Sequence, residues 1–249
     1  MDYAIEVRNL TKRYKGFTLD DISFALPQGT VMGLIGENGA GKSTLINSIL
    51  GIADCESSLT AMLGLDMKTH GKKIKEDIAV IFNDSHYDVN LTPKIIGHIL
   101  SKVYKNWDAP LFFEYLERFN LPEKKKIKKL STGMRVKLEF AAALSHHPRL
   151  LILDEATSGL DPVFRDEILD ILREFTEDEE HAVLMSSHIT SDLDKIADYI
   201  AYLHEGKMLF IKTYDEIRND YGIITCGQEL FDTLSRDDIA AYKKEPYSY

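Results

Sequence analysis

The sequence predicts an α/β fold, and three observations predict it. Thr30–Ile35, TVMGLI, is a short apolar run that leads into a glycine-rich loop and then into the amphipathic stretch Ser43–Leu50. Leu150–Leu153 is a second apolar run, and it ends in the adjacent carboxylates Asp154 and Glu155. Elsewhere, strand-like runs alternate with stretches of helical spacing. A strand, a glycine loop and a helix in succession open a nucleotide-binding α/β fold.

Taken in order, AIEVRNLTKRY and FTLDDISFAL read as short strands and turns, closed by Pro27-Gln28-Gly29. DIAVIF, residues 77–82, is a further strand candidate. From Leu91 to Leu121 apolar residues recur at helical spacing, including Ile95, Ile99, Val103, Trp107, Phe112, Phe113, Leu116 and Phe119. Pro93, Pro110 and Pro122 punctuate that stretch, which reads as a small helical insertion. Sheet character returns at Leu150–Leu153 and at Ala182–Met185, with helices between and after. Beyond Gly206 come a strand-like MLFI and a helix-like TYDEIRNDYG. This divides the chain into a core of residues 1–83 and 131–210, a helical subdomain of 84–130 and a small C-terminal extension of 211–249.

Composition narrows the function classes. The 249 residues are 44% hydrophobic and 28% charged, which is ordinary for a globular chain with room for a large core. A net charge of −10 argues against nucleic acid as the main partner. Cys55 and Cys226, the two cysteines, form no disulfide framework and suit a reducing compartment. MDYAIEVRNL lacks the apolar centre of a secretory leader. No run approaches the roughly 18–20 apolar residues of a membrane span, so work at a membrane needs a partner. The basic run Glu123–Lys129 reads as a solvated loop, and His146-His147 has no complementary ligands for a metal.

Gly36-Glu37-Asn38-Gly39-Ala40-Gly41-Lys42-Ser43-Thr44 fits G-x-x-x-x-G-K-[ST] and lies between a strand and a helix, as a phosphate-binding Walker A loop must. Its glycines turn successive N–H groups toward phosphates, and Lys42 adds a point charge between β and γ. The Ser43 hydroxyl suits Mg²⁺ and Thr44 the α-phosphate of ATP. The strand LLILDE delivers Asp154 to the Mg²⁺ shell, and Glu155, one residue on, is placed to polarise a water. Far downstream of the first loop, Ser131-Thr132-Gly133 has the build of a second anion site: an N-cap serine, a glycine that lets a ligand approach, then a helix running to Ala143.

The ordered set of Walker A, Leu130-Ser131-Thr132-Gly133-Met134, LLILDE, Ser158-Gly159-Leu160-Asp161 and Ser186-Ser187-His188 resembles the ATPase subunit of an ABC transporter. The match covers roughly residues 3–210. It implies a RecA-like P-loop NTPase core with an N-terminal antiparallel β subdomain and an inserted α-helical subdomain. It also accounts for the second anion site. In this family the signature loop serves the ATP held by another subunit, so Ser131 and the Gly133 N–H are expected to meet the γ-phosphate across a head-to-tail dimer.

Other roles follow from the resemblance alone. Tyr14 sits where the family stacks an aromatic on adenine, with Phe17 as the nearby competitor. His188 matches the switch histidine at the γ-phosphate, and Asp161 the residue that couples the two sites. Asn83 stands where the family usually has Gln, and its shorter amide reaches Mg²⁺ through a bridging water. Thr132 and Met134 depart from the usual Gly and Gln of the signature, whereas Ser131 and Gly133 remain.

The Asn-Asp-Ser-His-Tyr stretch, YKNWDAPLFFEYLERFNL and the STGM signature most resemble type-2 exporter ATPases of Gram-positive bacteria, linked to antimicrobial-peptide resistance and toxin export. The expected function is ATP hydrolysis at a dimer interface that drives export, with peptides the expected cargo. The expected partners are a second copy, or a homologous ATPase subunit, and an integral membrane permease. They would hold the chain on the inner face of the plasma membrane. Val89, Leu91, Pro93, Ile95 and Ile96 are candidates to receive a cytoplasmic helix of that permease. The alternative is a soluble ABC ATPase acting as an assembly factor of the iron–sulfur scaffold type, which the two cysteines do nothing to support.

Overall fold

The computed structural model describes residues 2–82, 87–222 and 225–235. Its contacts group into two units, Met1–Tyr214 and Asp215–Tyr249.

The larger unit opens with a long antiparallel hairpin of β1 (Tyr3–Tyr14) and β2 (Phe17–Pro27). Next come β3 (Val31–Ile35) and α1 (Lys42–Ile49), the strand and helix expected around the glycine loop. β4 (Leu59–Met62) and β5 (Leu65–Asp66) then return to the hairpin, giving one sheet in the order β2-β1-β4-β5. α2 (Met67–Asp77), bent at His70, leads into β6 (Ile78–Phe82).

The insertion supplies α3 (Pro93–Val103), α4 (Ala109–Arg118) and a 3-10 turn at Ile127–Lys129, and α5 (Thr132–Leu144) follows it. β7 (Leu150–Asp154), α6 (Pro162–Thr176), β8 (Ala182–Ser186), α7 (Thr190–Ile196), β9 (Tyr199–His204) and β10 (Lys207–Thr213) complete the unit. Strand β10 runs two residues past Ile211, across the boundary expected after residue 210. In the smaller unit lie the body of α8 (Tyr214–Asp220) and the short α9 (Gln228–Phe231).

The second sheet runs β10-β9-β3-β8-β7-β6, with β10 antiparallel and the other five strands parallel. Both faces of β7 and β8 are buried, which is why they read as unbroken apolar runs rather than alternating ones. Leu45, Ile46 and Ile49 of α1 are fully buried in one cluster with residues from both sheets. Register then decides where chemistry can occur. Leu34, Ser186, Asp154 and Phe82 are successive partners across β3, β8, β7 and β6. Everything one or two residues beyond that row projects from the carboxyl edge of the sheet, where open α/β folds bind ligands.

Helix starts follow side-chain capping. Thr92, Asp108, Ser131 and Asp161 each accept the N–H three residues on, at 3.4, 2.9, 3.2 and 3.0 Å, and open α3, α4, α5 and α6. Proline near the start reinforces α3, α4 and α6. Aromatic residues of the insertion pack on one another, Trp107 on Phe112 at 5.1 Å, Phe112 on Phe113 at 5.7 Å and Tyr115 on Phe119 at 5.4 Å between centroids, and the cluster continues into the core. Phe119 meets Phe164 of α6 edge-on at 4.9 Å between centroids, and Phe140 of α5 meets the same ring at 6.5 Å.

Candidate active site

Lys42 is the first residue of α1, and the glycine before it holds the left-handed conformation, φ 108°. A side chain at Gly41 would meet Phe17 Cζ at 2.6 Å, so this position needs glycine twice over. The Lys42 ammonium is nearly sealed from solvent. It donates to the carbonyls of Gly36 (2.8 Å) and Glu37 (3.2 Å) and lies 3.4 Å from Glu155 Oε1. The other Glu155 oxygen is 3.7 Å from His188 Nδ1, whose ring is half exposed. A cation, a carboxylate and an imidazole therefore line up at the mouth of the loop.

Around them is a cleft of about 210 Å³, lined by Asn38, Gly39 and Gly41–Thr44 of the loop, Phe17 of β2 and Glu155. Gly36 and Ala40 shape the loop from behind: a side chain at Gly36 would strike the Leu203 carbonyl at 2.3 Å. Tyr14, the cross-strand partner of Phe17, is 50% exposed, with Lys12 Nζ 4.9 Å from its ring centroid. Of the two rings, Phe17 lines the cleft.

The two acidic residues are set by one serine. Ser186, at the end of β8, donates to Asp154 Oδ1 at 2.7 Å and accepts the Glu155 N–H at 3.0 Å. Glu155 itself is in the left-handed region, φ 53°. That strain is held by this bond, by a second from its N–H to the Ser186 carbonyl (3.2 Å), and by Ser158, whose hydroxyl donates to the Glu155 carbonyl at 2.9 Å. Stored backbone strain of this kind concentrates where a side chain must be aimed.

Ser131, Gly133 and Asp161 occupy a second surface, and none of them lines the Lys42 cleft. Ser131 is exposed and caps α5 through its oxygen, which leaves its proton available to donate. Space above Gly133 is open, the nearest atom to an added Cβ being the Gly159 carbonyl at 3.9 Å. Asp161 is exposed, caps α6, and sits 3.9 Å from Lys137 of α5. Asn83 lies outside the described residues.

Two residues of the site escaped the sequence reading. Ser186 was grouped with His188 by position only. Gly206 is the other: at φ 79° it turns β9 into β10, donates its N–H to the Ala40 carbonyl at 3.0 Å, and accepts Asp20 N–H at 2.9 Å. A side chain there would overlap the Thr18 carbonyl at 1.8 Å. The one signal in the sequence is a glycine two residues before the strand-like MLFI run, at a position where a tight turn needs positive φ.

A family model described as ABC transporter matches residues 19–158, more than half of the chain. The chain belongs to the ABC transporter family. Relatives extend the likeness along its length. The ABC transporter ATP-binding protein YtrB of Bacillus subtilis (strain 168) is 30% identical over 230 residues, 92% of this chain and 77% of that protein. The bacitracin transport ATP-binding protein BcrA of Enterococcus faecalis is 34% identical, over 84% of this chain and 69% of its own. The lantibiotic transport ATP-binding protein SrtF of Streptococcus pyogenes is 34% identical over 86% and 93%. A solved ATP-binding subunit of an ABC transporter superposes with a TM-score of 0.80 at 26% identity, covering 86% of this chain and 92% of that one.

As an ABC ATPase the chain binds ATP and couples its hydrolysis to transport. ABC ATPases of this kind dimerise and work with a membrane permease. Among the described residues no helix is long and apolar enough to cross a membrane. Nothing in these likenesses supports the iron–sulfur assembly factor.

Proposed function

We propose that this ABC ATPase hydrolyses ATP between two chains packed head to tail, and that hydrolysis drives export, with peptides as cargo, through a separate permease on the inner face of the plasma membrane. The line of Lys42, Glu155 and His188 at the sheet edge is the observation that carries this reading. Support for a shared site is volumetric as well. A cleft of about 210 Å³ falls below the roughly 300–1,000 Å³ typical of complete small-molecule sites. It fits half a site, to be closed by Ser131 and Gly133 of a second copy. The bacitracin and lantibiotic transport relatives support the cargo class.

In this reading Glu155 accepts the proton of the attacking water, and His188 holds the γ-phosphate oxygens while the water adds. Lys42 offsets the charge that develops on the β–γ bridge. Tyr14 stacks on adenine, and Phe17 forms the floor beneath Gly41. Ser43 and Asp154 fit Mg²⁺, a hydroxyl and a carboxylate being the protein ligands a P-loop ion needs beside phosphates and water. Among the described residues there is no denser cluster of ligands that would favour another ion. When bound, Mg²⁺ would neutralise charge on the phosphate oxygens. Asn83, outside the described residues, would offer its amide to the ion, Asp161 links the two sites, and the partner is an identical or homologous ATPase chain.

Lys42→Ala tests the site. A fluorescent ATP titration should show binding weakened at least about 100-fold, as expected for losing a buried cation from a phosphate. Binding within a factor of a few of the parent would remove Lys42 from the site.

A further inference from the structure

The chain is acidic as a whole, yet its positive charge is concentrated. Between Met67 and Leu130 there are thirteen Lys and Arg against eight Asp and Glu, a balance of +5, which leaves −15 for the remainder of the −10 total. Much of this charge lines two adjoining cavities of about 520 and 430 Å³ that share Thr69 and Lys72. Lys68, Lys72, Lys73 and Lys75 of α2 and Lys105 beyond α3 point their charge at this basin. Glu76 is taken up by Lys105 at 2.7 Å, and Lys72, Lys73 and Lys75 have no carboxylate partner among the described residues. Asp54 and Glu76 are the acidic residues in the lining, and the excess of five lysines over these two carboxylates in a concave surface raises the local concentration of counter-charge.

An apolar rim adjoins the basin through that Lys105–Glu76 contact, which ties the end of α3 to the end of α2. On α3, Ile95, Ile99 and Val103 form an exposed row, 45%, 44% and 63% accessible. Lys94, His98 and Lys102 form a second exposed row directly beside it. Paired basic and apolar rows are what a bilayer interface accepts, anionic headgroups meeting the lysines and aliphatic tips entering the headgroup layer. Among the residues that line the two cavities there is no Phe, Tyr or Trp, and His70 is the one ring, which weighs against single-stranded nucleic acid.

We propose that the α2–α3 surface binds the anionic lipid headgroups of the bilayer directly, with Lys72, Lys73 and Lys75 as its electrostatic contact. The chain then meets the membrane by its own charge as well as through the permease. An ATPase with a net acidic body would be repelled by an anionic leaflet in most orientations and attracted in one, so the surface also sets which way the subunit faces. The inference is independent of the catalytic roles assigned above and uses the permease only to bring the chain near the bilayer.

Flotation of the purified full chain tests it, with vesicles of phosphatidylcholine alone or mixed with phosphatidylglycerol. Binding is expected to the mixed vesicles only, at about 50 mM salt, and to be lost at about 500 mM, where screening shortens to a few Å. Lys72→Gln/Lys73→Gln/Lys75→Gln should lower partitioning about 100-fold, at about fivefold per lysine, with ATP affinity and circular dichroism unchanged. Equal binding to neutral vesicles, or unaltered binding of the triple variant, would overturn the proposal. Full competition by millimolar inorganic phosphate would make the basin a small-anion site instead. A triple variant that floats normally but no longer assembles with the permease would make it a protein interface. A catalytically dead Glu155→Gln chain should float as the parent does, so a failure of the ATPase reading leaves this test intact.

Discussion

The Ser186 hydroxyl lies 2.7 Å from Asp154 Oδ1 and 3.0 Å from the Glu155 nitrogen, so one side chain fixes the carboxylate we propose for Mg²⁺ and a strained backbone at once. Ser186→Ala should lower turnover about 10- to 100-fold, the worth of one hydrogen bond to a charged group, with ATP affinity nearly unchanged. Ser186→Thr should restore most of it, and steady-state kinetics beside ATP titration separates the two effects. The sequence could not announce this role. Ser186 and Asp154 are 32 residues apart, and only the parallel register of β7 and β8 makes them neighbours. His146 is a second residue whose role depends on tertiary burial. Its Nε2 faces the Ile78 carbonyl at 3.1 Å, and a carbonyl only accepts, so Nε2 carries the proton; the ring stacks on Tyr104 at 3.9 Å. Burial lowers its pKa below the usual histidine value, against the hydrogen bonds that raise it. The unfolded chain therefore binds more protons between that lowered pKa and about 6.5, so stability rises with pH across this window and is lost as pH falls below about 6.5. His146→Gln should flatten the dependence of melting temperature on pH between about 7.5 and 5.5.

At the scale of elements, the Walker A loop depends on a hairpin that is distant in sequence. The Glu205–Gly206 turn donates to the Ala40 carbonyl and abuts β2, so it braces the loop from behind. Gly206→Ala should cost about 3 kcal/mol, or about 6–12 °C in melting temperature, and should weaken ATP binding by deforming the loop. A melting curve unchanged from the parent would dissociate the turn from the loop. Elements with strong local signals were legible. β3, α1, β7 and β8 emerged within a residue or two of where apolar pattern and glycine loop put them, and the capped helices opened where Ser131 and Asp161 indicated. β4, β5 and β9 were not. β5 has two residues and β4 four, too short for a period, and the pairing that holds β4 in the sheet, with β1, is long-range. In β9, YIAYLH, buried and half-buried positions do not alternate cleanly, so the run carries no period of two. α2 was missed because its mean composition is polar and lysine-rich, with Met67 and Ile74 as its buried anchors.

For the molecule as a whole, the likeness to ABC ATPases was readable because five short motifs occur in a fixed order along the chain. What they build is an incomplete site. The Lys42 cleft lies at the carboxyl edge of the parallel sheet, while Ser131 and Gly133 open onto another surface, so on the proposed assignment a single chain does not enclose the γ-phosphate. Two chains related head to tail can, twice over. In the proposed mechanism ATP stabilises the closed pair by the difference in its affinity for the closed and open states, and hydrolysis with Glu155 as the base withdraws that difference. The measurement that tests this most directly is sedimentation velocity of Glu155→Gln with and without Mg-ATP. The account predicts a monomer without nucleotide and a dimer retaining two ATP with it. A nucleotide-bound monomer that still turns over ATP near the parental rate would contradict both the shared site and the role of Glu155.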